Sequence, residues 1–413
     1  MNDRIKKIVS HAYKTTQLYS VLAEEGSIAV EDTEEFNIEL LPVVDKDYIM
    51  RKEDISLSSD YIVKAYREEL INARTSGSTG KYLNIYWDKA DFIRSLLPLW
   101  IYRKKYYGIN ADDKMCYFYT ARSVGDIEQR TFLHKNQLGF TKSNLDMKEF
   151  AKIYEDMKAF QPKWLNIQPS MAALLCQSIR KYKLSGLNSI EYVEFTGELL
   201  SDSVRHEVES VLKCKTANQY GSNETNSIAY ECPYGKLHIL QANVYVEILD
   251  KDNKAVANGK EGDICVTSLT NKAMPFIRYK LGDRGLKKSG VKCPCGNCSD
   301  ILDITAGRRN DYAIDENDEK VNSYVFVRAI DNINVILEGA IKQFQIEQLD
   351  IDRFVVKLAV DEAVSEGQIE ELFYENLLQS SLKNAEFEFE FYEELLADDE
   401  TGKLRYFVNK MQQ

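Results

Sequence analysis

The sequence predicts an α/β protein: a large layered α/β domain carrying a small β subdomain, followed by a small α+β lobe. Three observations predict it. Apolar strand-like runs alternate with helical patterns between Met115 and Lys213, the arrangement of layered α/β domains with mainly parallel strands. From about residue 239 the strand-like runs are joined by polar connections instead of helices. At 413 residues the chain exceeds one ordinary core, and its composition changes again after Asp311. The expected division is 1–310 for the large domain, with 230–305 as its β-rich part, and 311–413 for the small lobe.

In chain order, residues 4–25 have the apolar spacing of an amphipathic helix that ends near Gly26, and a polar approach runs on to about residue 70. Strands are expected at Met115–Thr120, Trp164–Ile167, Tyr192–Phe195 and Thr216–Gln219. Between them the 3.6-residue period gives helices at Met147–Ala159, Ser170–Tyr182 and Ser201–Lys213, the last with Ser201 as N-cap. Val244–Leu249 and Ile264–Ser268 read as strands joined by the polar stretch Asp250–Asp263. In the small lobe, Ser323–Leu337 and Glu366–Lys383 read as helices, and Ile341–Gln348, Arg353–Val360 and the alternating Glu386–Tyr392 as strands.

Hydrophobic content of 44% and a mean hydropathy of −0.39 suit a globular protein. The longest apolar runs, such as Met171–Cys176, fall far short of a membrane span, and Met1–Lys7 does not lead into a signal-peptide core. Eight cysteines in this length do not form a disulfide framework, so a cytoplasmic location is expected. The net charge of −12 is uneven: residues 312–413 carry 9 Lys+Arg against 23 Asp+Glu. That lobe argues against a protein holding nucleic acid, and its simplest reading is a solvated face.

Six short segments carry the chemistry. Thr75-Ser76-Gly77-Ser78-Thr79-Gly80-Lys81 can cradle phosphates, since glycine lets backbone N–H groups approach closely and hydroxyls add donors. It is not a Walker A loop, because Gly80 follows Gly77 too soon and Tyr82 follows Lys81. After it come Thr196-Gly197-Glu198, Gln219-Tyr220-Gly221-Ser222-Asn223-Glu224, Tyr279-Lys280-Leu281-Gly282-Asp283, Gly307-Arg308-Arg309-Asn310-Asp311 and Thr401-Gly402-Lys403. Taken singly these are ordinary turns, a core tyrosine and surface charges. In this order, over residues 70–405, they resemble the core motifs of the adenylate-forming (ANL) enzymes, the superfamily of acyl-CoA ligases. The length, the lead Pro275-Phe276-Ile277-Arg278-Tyr279 and Cys293-Pro294-Cys295-Gly296 are similar to the phenylacetate–CoA ligase group and its capsule-biosynthesis-type relatives.

The resemblance implies a large adenylate-forming domain, a small mobile C-terminal lobe turning about a hinge at Asp311, and a set of roles. Thr75 to Lys81 would hold the β- and γ-phosphates. Gly197, Glu198, Asn218, Gln219, Tyr220, Gly221 and Ser222 would surround the nucleotide, with Tyr220 against adenine and Glu198 a second metal candidate. Glu224 would bind Mg²⁺, a hard cation that prefers carboxylate oxygen. Asp283 would accept from the ribose hydroxyls, and Arg308 would reach the ribose or α-phosphate. Lys403 would bridge the attacking carboxylate and the α-phosphate, although acidic residues precede its Thr-Gly-Lys where the family has proline or arginine. The group also carries Cys…His…Cys-x-Cys, which implies a structural Zn²⁺ on Cys232, His238, Cys293 and Cys295, with Cys298 as a substitute ligand.

The activity so implied is ATP-dependent activation of a small carboxylic acid, aryl or arylacetic, as acyl-adenylate, then transfer to CoA. A carrier-protein thiol, an amine acceptor and a non-catalytic nucleotide-binding scaffold stay open. No membrane partner is expected, and a homodimer is compatible with the sequence.

Overall fold

The computed structural model describes residues 2–26, 37–74, 83–119, 131–141, 147–306, 312–318, 320–337, 340–360, 364–378, 380–396 and 404–411. They divide into two compact units. One joins Met1–Gly108 to Gln219–Arg308, the other Ile109–Asn218 to Arg309–Gln413. The second unit resumes at Arg309, beside the boundary expected at 310/311. It also takes in Ile109–Asn218, which the sequence pattern had assigned to the large domain.

In the first unit the N-terminal stretch forms two helices, Asn2–Thr15 and Gln17–Gly26, interrupted at Thr16. The hairpin Ile71–Arg74 and Asn84–Trp87 and the helix Lys89–Tyr102 fall in or beyond the stretch read as a polar approach. That helix opens on Asp88, whose carboxylate accepts from the Ala90 N–H, and it closes in a π-helical turn, Arg103–Tyr107. The sheet here is antiparallel. Its strands lie in the order Val244–Leu249, Glu261–Ser268, Tyr279–Lys288, Ile301–Ala306, Leu237–Ile239, Asn226–Glu231, then the Gln219–Ser222 half of Lys215–Ser222. The antiparallel region therefore begins at Gln219, some twenty residues before the pattern change visible in sequence. Trp87, Phe276, Tyr279 and Ile228 are fully enclosed in its core.

The second unit contains the parallel sheet. Tyr192–Thr196, Trp164–Ile167, Met115–Tyr119 and Gln137–Thr141 lie side by side in that order, with Thr131–His134 antiparallel at the edge. Cys116, Phe118, Leu165, Ile167, Val193 and Phe195 occupy alternate positions and pack on the helices Met147–Phe160, Pro169–Lys181 and Asp202–Leu212. Strand side chains alternate between faces, so the intervening residues point to the opposite side. Ser201 caps the third helix by accepting from the Val204 N–H at 3.3 Å.

The C-terminal part of this unit is a four-stranded sheet in the order Glu386–Tyr392, Arg353–Val360, Ile341–Asp350, Phe407–Asn409. With the helices Tyr324–Ile336 and Glu366–Leu377 it closes over Phe326, Phe354 and Phe373. The second helix is shorter than the expected Glu366–Lys383. Ser380 Oγ donates to the Leu377 carbonyl at 2.8 Å, a side-chain bond that competes with continued helix.

Candidate functional site

In the first unit, two separated motifs meet at two tyrosine–carboxylate junctions. The Tyr220 hydroxyl donates to Asp283 Oδ2 at 2.6 Å, across a sequence separation of 63. The Tyr279 hydroxyl donates to Glu224 Oε1 at 2.8 Å, across a separation of 55. Glu224 is 6% exposed and Tyr279 is 2% exposed, while Tyr220 and Asp283 are half-buried. A buried carboxylate needs donors to offset lost hydration, and a phenol supplies one without adding charge.

Local structure sets both junctions. The strand carrying Tyr220 shifts register between Tyr220 and Gly221. A Cβ on Gly221 would lie 2.3 Å from the Asn226 carbonyl oxygen, so only glycine fits the turn that delivers Glu224. Gln219 Nε2 donates to Ser227 Oγ, and Asn243 Nδ2 donates to the Thr225 and Ser227 carbonyls, bracing the same turn.

Tyr279 and Asp283 begin a strand whose entry is clamped. Arg278 is 2% exposed and adopts φ 46°, a left-handed conformation uncommon outside glycine. Its guanidinium pairs with Glu247 at 3.0 Å and donates to the Glu39 and Leu41 carbonyls. Burial raises the Glu247 carboxyl above its usual range and Arg278 opposes that rise. Tyr19 adds a bridge, donating to the Pro275 carbonyl and accepting from the Ile277 N–H. Tyr279, Arg278 and Tyr19 were not singled out as site residues in the sequence. The quoted Pro275–Tyr279 lead was the one available signal.

Gly197, Glu198 and Asn218 belong to the second unit. Glu198 accepts from the Ser170 N–H at 3.0 Å and the Ser170 hydroxyl at 3.1 Å, at the start of the helix Pro169–Lys181. That is the chemistry of a helix cap and leaves Glu224 as the better metal carboxylate. Thr75, Ser76, Gly77, Ser78, Thr79, Gly80 and Lys81, Arg308, Asp311 and Lys403 lie outside the described residues.

The Cys/His residues converge. Ligand atoms of Cys232, His238, Cys293 and Cys295 all lie within 4.8 Å of one another. Cys232 Sγ and Cys293 Sγ are 3.7 Å apart, and Cys295 Sγ is 3.3 Å from His238 Nε2. A tetrahedron with ~2.3 Å Zn–S and ~2.0 Å Zn–N bonds has edges of about 3.8 and 3.5 Å, so the set fits zinc. His238 Nδ1 lies 3.2 Å from the Ser299 carbonyl, which selects the tautomer with Nε2 free to ligate. Burial pushes the Cys232 thiol up to about 11. Burial also raises Cys295, but hydrogen bonds from the Asn297 N–H, Tyr106 and the neighbouring thiols outweigh it and hold the thiol below its ordinary value. Cys298 is exposed and stands outside the cluster.

The AMP-binding enzyme family matches residues 74–271, the stretch that carries Tyr220 and Glu224. The CapK C-terminal domain family matches residues 314–410. Protein CapK of Staphylococcus aureus is 25% identical over 99% of this chain and 88% of its own length. The phenylacetate-coenzyme A ligase of Thermus thermophilus is 25% identical over 76% of this chain and 70% of its own. A crystal structure of 2-hydroxyisobutyryl-CoA ligase superposes with a TM-score of 0.78 at 16% identity, covering 99% of this chain and 89% of that one. The chain belongs to the adenylate-forming superfamily, in its phenylacetate–CoA ligase-like and capsule-type group. Among the described residues no helix is long and apolar enough to cross a membrane.

Proposed function

We propose that this protein activates a carboxylic acid with ATP and transfers the acyl group to CoA. A carboxylate oxygen attacks the α-phosphorus, the bond to the bridging oxygen breaks, and pyrophosphate leaves. The CoA thiolate then attacks the acyl carbon and AMP leaves. The observation that carries this reading is the pair of junctions Tyr220–Asp283 and Tyr279–Glu224, which joins two motifs of the superfamily in one unit.

The residues divide the task. Asp283, fixed in rotamer by Tyr220, accepts from the ribose hydroxyls, and the ring of Tyr220 lies against adenine. Asn218 and Gln219 meet the base edge, with Gly197 alongside. Thr75 to Lys81 hold the outer phosphates, and Arg308 meets the ribose or α-phosphate. Lys403 stabilises charge as the acid attacks, and Asp311 is the hinge of the small lobe. Mg²⁺, when bound, neutralises phosphate charge, and Glu224 is its protein ligand. Zn²⁺ on Cys232, His238, Cys293 and Cys295 staples the turns of the antiparallel sheet and takes no part in the chemistry. An aryl or arylacetic acid is the substrate class suggested by the relatives named for phenylacetate.

The test is acid-dependent exchange of labelled pyrophosphate into ATP across a diverse acid library, followed by acyl-CoA detection. Exchange with acyl-CoA formation is the expected result. Exchange without acyl-CoA points to a carrier-protein or amine acceptor, and ATP binding without exchange points to a non-catalytic scaffold.

A further inference from the structure

The helix Lys89–Tyr102 closes in the π-helical turn Arg103–Tyr107, and that turn reaches the Cys/His cluster. Such turns are rare and collect at functional sites, because the wider ring re-aims the side chains it carries. Here two consecutive side chains, Tyr106 and Tyr107, meet the two segments that supply the cysteines. The Tyr106 hydroxyl donates to Cys295 Sγ at 3.6 Å, across a sequence separation of 189. The Tyr107 hydroxyl donates to the Glu231 carbonyl at 3.0 Å, next to Cys232 in the chain. Gly108 ends the turn at φ 69°, a left-handed conformation that glycine takes without strain.

Ring contacts hold both phenols where they stand. Tyr102 stacks on Tyr106 with ring centroids 5.2 Å apart, and Tyr107 meets Tyr230 edge-on at 6.1 Å. Lys105 Nζ lies over the Tyr106 ring at 5.2 Å from its centroid. All of these residues belong to the first unit, with the cluster itself. A half-buried phenol packed on a second ring has few rotamers left, so its hydroxyl keeps one direction.

The cluster has use for such a donor. Three thiolates and a neutral imidazole around one divalent zinc leave a net negative charge, and hydrogen bonds to sulfur disperse it. The cysteine turns supply some of these bonds from their own backbone. The Asn297 N–H donates to Cys295 Sγ at 3.4 Å, and the Tyr234 and Lys236 N–H groups act on Cys232. Tyr106 differs in coming from a separate element. A phenol is protonated at neutral pH, so toward a thiolate it donates. We propose that Tyr106 is a positioning residue for the zinc: its hydroxyl fixes the Cys295 thiolate and slows loss of the metal, and the π-helical turn carries it there. Tyr107, whose hydroxyl goes to a carbonyl, anchors the turn. This rests on the zinc reading of the cluster and is independent of the adenylation reading.

Metal release from the full-length chain tests it. The zinc-loaded protein is mixed with a chromogenic chelator and the transfer is timed. Tyr106→Phe should load the same amount of zinc and release it about 10- to 100-fold faster. In cobalt-loaded protein the thiolate-to-metal charge-transfer band should move to lower energy in Tyr106→Phe, because a sulfur that has lost a hydrogen bond gives up charge more readily. Tyr107→Phe should leave that band in place. Should Tyr106→Phe not fold, Tyr106→Met removes the hydroxyl while filling the gap, and takes its place in both measurements. Release at the wild-type rate overturns the proposal, whatever the band does. Faster release with an unmoved band also overturns it, as the mark of a residue that only packs. Wild-type protein that takes up neither zinc nor cobalt removes the zinc reading and this proposal together, and leaves the adenylation reading to pyrophosphate exchange.

Discussion

At the Cys/His cluster, the ligand atoms of four side chains face one another within 4.8 Å. At the two tyrosine–carboxylate junctions, an acidic oxygen is met by a neutral hydroxyl at 2.6 and 2.8 Å. Both lie in the same unit, and both join residues more than fifty positions apart. The first closes on itself: four such groups would complete a tetrahedron around one metal ion and leave no open position for substrate. The second fixes the direction of a carboxylate without neutralising it, so its capacity to accept or to bind a cation is retained. Closure suits a structural device, and an oriented acceptor suits a chemical one.

The comparison breaks first at the charges proposed to act. Lys403→Ala should lower pyrophosphate exchange about 10²- to 10³-fold while transfer from preformed acyl-adenylate to CoA survives. Equal loss of both half-reactions would assign Lys403 a structural role. Next, Cys232→Ser should take zinc content from about one per chain to none, measured by mass spectrometry. It should also lower Tm by at least ~4 °C, with ATP binding retained. Zinc-free protein of unchanged Tm would erase the distinction drawn above.

A smaller effect separates the two junctions. Tyr220→Phe and Tyr279→Phe should each weaken ATP binding about tenfold, the loss of one hydrogen bond to a charged group. The Tyr279→Phe loss should be recovered at high Mg²⁺ and the Tyr220→Phe loss should not. Titration calorimetry at two Mg²⁺ levels reads the difference. Smallest is the contrast with a carboxylate held by cations. Burial alone would raise Glu347, but Lys410 at 2.7 Å and Lys357 at 2.9 Å outweigh it and lower its carboxyl below 4.5. A carboxyl depressed on folding stabilises the native state above its unfolded value. That contribution should fade as pH falls through and below about 4.5, and Lys410→Met should flatten this part of the acid unfolding curve.

Much of the fold was legible. Trp164–Ile167, Val244–Leu249, Arg353–Val360 and Glu386–Tyr392 stand at the expected bounds, because alternation and β-branched content are local signals. The short strands Asn226–Glu231 and Leu237–Ile239 were missed. Leu237–Ile239 is only three residues long and Asn226–Glu231 carries no apolar alternation, so pairing in the sheet makes them strands. The early hairpin Ile71–Arg74 and Asn84–Trp87 was also missed. Of the site, the motif carboxylates were visible from their neighbours in sequence. Tyr279 as the partner of Glu224, and the clamp of Arg278 by Glu247, Glu39 and Leu41, were not, because no local pattern encodes a partner dozens or hundreds of residues away.

The sequence by itself determined the kinds of groups available: acceptor carboxylates after glycine turns, a Cys-x-Cys pair, and alternating strands that place every second residue on one face. Tertiary structure decided which of them meet. Strand register lined Tyr117 with Asn166 and Glu194, and the packing of the first unit brought Tyr220 to Asp283 and Cys232 to Cys293. A single-residue slip would turn the strand residues among them to the other face, and register is settled only when whole sheets bury their cores together.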